Sequence, residues 1–68
     1  MLQQATIGDQ ILEVVRANPD CTFKKVIQQF PDLDWSDVYI EVELLRLSGR
    51  LRMIHNYWGL FTSTLRLP

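Results

Sequence analysis

The sequence predicts an α+β domain in which three short helices precede a C-terminal two-stranded β-hairpin. Apolar residues recur at helical spacing in three separate stretches before Gly49. Each stretch opens on a threonine or aspartate able to cap a helix and closes on a proline or glycine signal. From Leu51 onward, strand-forming residues replace the helical period. The 68 residues are 47% apolar and 22% charged, ordinary values for a globular chain and far from those of disordered ones. A single domain over residues 1–68 is expected, small enough that its core must pack efficiently.

Thr6 is placed to cap helix 1, with Asp9 three residues on to favour the exposed amides and the positive end of the dipole. Ile7, Ile11, Leu12, Val14 and Val15 form its apolar stripe, and Asn18-Pro19 ends it near residue 18. Thr22 caps helix 2, whose Phe23, Val26, Ile27 and Phe30 follow the i, i+3, i+4, i+7 rule until Pro31 stops it, giving residues 22–30. Leu33 is read as a core plug in the following turn, and Asp34 as the cap of helix 3 over residues 35–48, with Asp37 at its third position. Gly49 closes that helix in the left-handed conformation. Strands are expected over 51–55 and 60–65, joined at Asn56-Tyr57-Trp58-Gly59 by a type I turn ending in a glycine bulge. A lone hairpin is marginal in water, so this one must lie against the helices.

Most chemistry is excluded. No apolar run reaches the roughly 18 residues of a bilayer span and no export signal is present, so a cytoplasmic protein is expected. Cys21 is the single cysteine and His55 the single histidine, which leaves no internal disulfide and no zinc cage; Cys21 reads as a small buried apolar residue. His55 on a strand, without a nucleophile and an orienting group beside it, is structural. The domain is too small to enclose a usual substrate pocket and has no glycine-rich phosphate loop. Asp32, Asp34, Ser36 and Glu43 match parts of a calcium-loop pattern, but Asp37 stands where its hinge glycine belongs and Pro31 interrupts the incoming helix. No enzyme, cofactor, metal or small-molecule substrate is expected.

The net charge of −1 hides an uneven distribution. Residues 1–43 hold all eight carboxylates with Arg16, Lys24 and Lys25, whereas residues 44–68 hold Arg46, Arg50, Arg52 and Arg66 and no acid. The C-terminal third is therefore basic.

Val38, Val42 and Leu45, then Gly49, then Leu51 resemble the third-helix core positions, glycine and wing start of the winged helix-turn-helix domains of small bacterial transcriptional regulators. Thr22 opening a short helix with Val26 and Ile27 agrees, and the resemblance covers nearly the whole chain. It implies that helix 3 enters the major groove of DNA while the hairpin wing follows phosphates or the minor groove. On that pattern the groove-facing positions hold Trp35, Ser36, Asp37, Tyr39, Ile40 and Glu43, with none of the usual base readers Arg, Lys, Asn and Gln. Arg46, Arg50 and Arg52 fall where the family meets the backbone, and Tyr57 and Trp58 sit at the wing tip, placed to stack on a base or wedge into a groove. In the competing account Trp58 folds onto the core and the arginines are simply solvated.

Helix 3 carries a second apolar stripe, Ile40, Leu44 and Leu47, rotated away from Val38, Val42 and Leu45. Either the hairpin and helix 1 bury it, or it is a contact surface for another chain, homodimerisation being the simplest case. Two functions follow. One is nucleic-acid binding through Arg46, Arg50, Arg52, Tyr57 and Trp58; the other is protein interaction through Ile40, Leu44 and Leu47 with Tyr39 as an anchor and no DNA binding.

Overall fold

The computed structural model describes residues 6–55 and 59–68. The chain runs through α1 (Ile7–Ala17), α2 (Phe23–Gln28), α3 (Trp35–Leu47), β1 (Arg52–Ile54), a single 3₁₀ turn (Leu60–Thr62) and β2 (Thr64–Arg66). The predicted order of three helices and an antiparallel hairpin is present.

Local chemistry sets the boundaries. At the start of α1 the Asp9 amide donates to Thr6 Oγ1 (3.1 Å) and the Thr6 amide to Asp9 Oδ2 (3.4 Å), a reciprocal capping box. The helix ends at Asn18, whose amide and side-chain Nδ2 both donate to the Val14 carbonyl at 2.9 Å. In α2 the Lys25 amide donates to Thr22 Oγ1 at 3.2 Å. This helix is shorter than the expected 22–30. The amides of Gln29 and Phe30 reach back only three residues, to the carbonyls of Val26 and Ile27 (both 3.0 Å), because Pro31 forces the residue before it out of the α region.

Two further details of α3 differ in weight. Asp34 stands at the N-cap with an extended backbone, but its carboxylate makes no capping hydrogen bond, a correction to the expected role. Its contribution is confined to the favourable field of an anion at the positive helix end. Gly49 performs as expected. Its amide donates to the Arg46 carbonyl (3.1 Å) and the Arg50 amide to the Leu45 carbonyl (2.9 Å), the paired bonds of a Schellman close, at φ +79°. A Cβ there would meet nothing within 4 Å, so Gly49→Ala is expected to cost about 1–2 kcal/mol from backbone strain alone. Urea midpoints of the two chains measure it, and Gly49→Asn should lose less than Gly49→Ala, since asparagine tolerates this conformation.

β1 pairs with β2 in the register Arg52↔Arg66, Met53↔Leu65 and Ile54↔Thr64. The second strand is therefore 64–66, where 60–65 was expected. Ser and Thr side chains in that stretch bond locally and hold a turn. Thr62 Oγ1 and Ser63 Oγ both donate to the Gly59 carbonyl, at 3.1 and 3.3 Å, and the Ser63 amide donates to the Leu60 carbonyl. The turn brings Phe61 over Phe23 in a stacked contact 5.9 Å between centroids. The connection from Ile54 to Thr64 is thus longer than a tight turn; Asn56, Tyr57 and Trp58 lie outside the described residues.

β2 also pairs on its other side with the segment between α1 and α2. The Leu65 amide donates to the Cys21 carbonyl (2.8 Å) and the Phe23 amide to the Ser63 carbonyl (2.9 Å), around a Thr22↔Thr64 bridge. This ties the hairpin to the helices. The core beneath it is built from Ile11, Leu12 and Val15 of α1, Phe23 and Val26 of α2, Val38, Val42 and Leu45 of α3, and Leu51 and Leu65 of the hairpin. Leu33 is half-buried against this core.

Candidate functional site

With Val38, Val42 and Leu45 buried, a helix turning 100° per residue must send Ser36, Ile40, Glu43, Leu44 and Leu47 to the opposite side of α3. The apolar members of that side are open to solvent: Ile40 is 55%, Leu44 56% and Leu47 71% exposed. Neither α1 nor the described residues of the hairpin cover them. Tyr39 does not join this stripe. It is half-buried against the core, edge-on to Phe23 at 5.9 Å.

The basic residues gather at the exit of α3 and along the sheet. An open groove of about 460 Å³ is lined by Arg46, Gly49, Leu51, Arg52, Met53 and Pro68. Arg46 is bound to Glu43 one turn earlier, Nη2 to Oε2 at 2.7 Å and Nε to both oxygens at 3.2 and 3.3 Å. This guanidinium holds the Glu43 carboxyl below the usual carboxylate range. Arg50 reaches Asp9 on α1 at 3.4 Å. The Asp9 carboxyl is lowered chiefly by the hydrogen bonds from Thr6, with Arg50 adding to the effect.

Arg52 has no carboxylate partner among the described residues. Its cross-strand neighbour is Arg66, and the two exposed guanidiniums share one face of the sheet. Like charges directly opposite are destabilising, and Asp20, 2.8 Å from Arg66 Nε, offsets this. Arg66 was not among the residues singled out from the sequence, because only the strand register brings it beside Arg52. Of the nucleic-acid set, the structure brings Arg46 and Arg52 to one groove and turns Arg50 toward α1, while Tyr57 and Trp58 lie outside the described residues.

A second open groove, about 480 Å³ in volume, is lined by Lys24, Ile27, Gln28, Trp35 and Phe61. Trp35 meets the ring of Phe61 edge-on at 5.5 Å, and both are partly exposed, at 48% and 43%. This pair is not legible in the sequence, where Leu60-Phe61-Thr62-Ser63 has the composition of a strand. Cys21 is buried, and burial pushes its thiol up, the opposite of an activated nucleophile. His55 is exposed and lies one residue past the end of β1, outside the strand expected to hold it. Among the described residues no three His, Cys, Asp or Glu side chains are gathered to hold a metal ion, and no helix is long and apolar enough to cross a membrane.

Three helices, an antiparallel hairpin after the third, and a short strand segment between the first two define the winged helix-turn-helix fold. The crystal structure of the PcaV transcriptional regulator from Streptomyces coelicolor in complex with its natural ligand is similar to this chain, with a TM-score of 0.78 and 23% sequence identity over 96% of this chain and 45% of that one. At that identity the likeness establishes the fold, and this chain spans less than half the length of that regulator. No protein-family model matches the sequence, and no curated protein matches it.

Proposed function

We propose that this chain is a winged-helix module of the transcription-regulator type whose third helix docks on protein and does not read bases. One observation carries the reading: Ile40, Leu44 and Leu47 stand exposed on the outward face of α3, the face a DNA-binding member of the fold turns to the major groove. Base edges are read by side chains that donate or accept hydrogen bonds, and this stripe offers none. Asp37 and Glu43 on the same helix would meet phosphates with like charge. Contiguous exposed apolar side chains with a polar rim instead fit a protein surface. The module is non-catalytic and cytoplasmic in this reading.

A second reading has its own support, namely the arginines of the hairpin. Arg52 is unpaired among the described residues and adjoins Arg66, while Arg46 and Arg50 sit in solvent-exposed ion pairs. Pairs this exposed are screened by solvent, so exchanging a carboxylate for a phosphate costs little. In this reading the wing holds a nucleic-acid backbone without reading sequence, and Tyr57 and Trp58 join it.

A titration of labelled protein with mixed-sequence duplex at about 50 mM and about 200 mM salt tests both. The docking reading expects the amides of Ile40, Leu44 and Leu47 to stay unmoved at either salt, and shifts along that stripe would remove it. Salt-sensitive shifts confined to residues 50–54 and 64–66, lost in an Arg50→Ala, Arg52→Ala double variant, are what the wing reading requires.

A further inference from the structure

We propose that the exposed stripe of α3 pairs with the same stripe of a second copy of this chain, the two helices antiparallel about a two-fold axis at Leu44. This rests on the reading of α3 as a protein-docking helix and names its partner. The spacing is self-complementary. Ile40 and Leu47 lie four residues before and three after Leu44, so antiparallel helices set Ile40 against the partner's Leu47 and Leu44 against the partner's Leu44. An isologous interface needs this property.

Charge selects the same partner and the same direction. Glu43 and, one turn on, Arg46 place opposite charges beside the stripe, whereas Arg50 is turned to Asp9 and Glu41 lies toward Gly8 on α1. Antiparallel pairing brings Glu43 of each copy toward the partner's Arg46 and opposes the two helix dipoles; parallel pairing sets Glu43 beside Glu43 and Arg46 beside Arg46. At the axis the detail is closer still. Glu43 and Arg46, already joined at 2.7 Å, lie on one flank of the stripe. In a two-fold antiparallel pair that flank faces its own copy, so each Glu43 also meets the partner's Arg46 in a four-member ionic cluster. Three apolar side chains and this rim are less than the ~800 Å² per partner of a standard interface, so the dimer is weak and reversible.

Sedimentation velocity on the whole chain from about 10 μM to about 1 mM reads the association. The sedimentation coefficient of the native chain should rise across this range, and Leu44→Glu, which sets two carboxylates against each other at the axis, should hold it at the monomer value throughout. Glu43→Lys alone and Arg46→Glu alone should each self-associate roughly ten-fold more weakly than the native chain, and an equimolar mixture of the two should recover most of the loss. A native chain that stays monomeric, or a mixture no stronger than its components, would overturn the proposal. Failure here is separable from failure of the docking reading. A monomer whose α3 amides ignore duplex loses only the self-pairing, whereas α3 amides that shift with duplex take both down.

Discussion

Phe23→Ala is expected to leave the chain largely unfolded at 25 °C. Phe23 is fully buried, and its ring lies 5.9 Å from Tyr39 on α3 and 5.9 Å from Phe61 in the hairpin connection. Its amide also closes the strand bond to the Ser63 carbonyl. One side chain thus joins α2, α3 and the wing. Truncating a buried phenylalanine to alanine costs about 3–5 kcal/mol, from lost transfer energy and from the cavity left behind. A chain of this length has a total stability of roughly 3–10 kcal/mol, so the loss consumes most of the margin. Circular dichroism and a urea titration measure it; a loss under about 1 kcal/mol would show that the three elements are not held through this ring.

What was legible in the sequence follows from range. α1 and α3 were read nearly to their ends because their signals are local: the Thr6 and Asp9 capping pair, Asn18-Pro19, and Gly49 each act within four residues of where they stand. The buried face of α3 was legible for the same reason, since three residues at helical spacing define it. β2 was misplaced because its start is decided at long range. Leu60, Phe61, Thr62 and Ser63 have the composition of a strand, but Phe61 finds Phe23 and Trp35, and local Ser and Thr bonds to Gly59 hold the turn that lets it. The strand segment at Thr22 was missed because one bridge to Thr64 leaves no periodic mark in a sequence.

The candidate site divides along the same line. That α3 has two apolar faces is a property of one helix and could be read directly. Which face is left open depends on where the hairpin goes, and it goes to Cys21 and Phe23 rather than across Ile40, Leu44 and Leu47. Likewise the basic character of the C-terminal third was plain, but the ion pairs that tie Arg50 to Asp9 and Arg66 to Asp20 join residues more than forty positions apart.

Two leucine truncations of identical chemistry should therefore separate by several kcal/mol. Leu65 is fully buried in the middle of β2, opposite Met53, with its amide on the Cys21 carbonyl. Leu65→Ala is expected to cost about 2–5 kcal/mol and to release the hairpin from the helices, seen as lost hydrogen-exchange protection at the amides of Phe23 and Leu65. Leu44→Ala removes the same atoms from a side chain 56% exposed, and should stay within about 0.5 kcal/mol of the native chain. Both are measured near 10 μM, where association through α3 contributes little to the apparent stability. The comparison bears on function as well as fold. If Leu44→Ala proved as costly as Leu65→Ala, the stripe would be holding the monomer together, and a helix face already used by its own chain has nothing left to offer a partner.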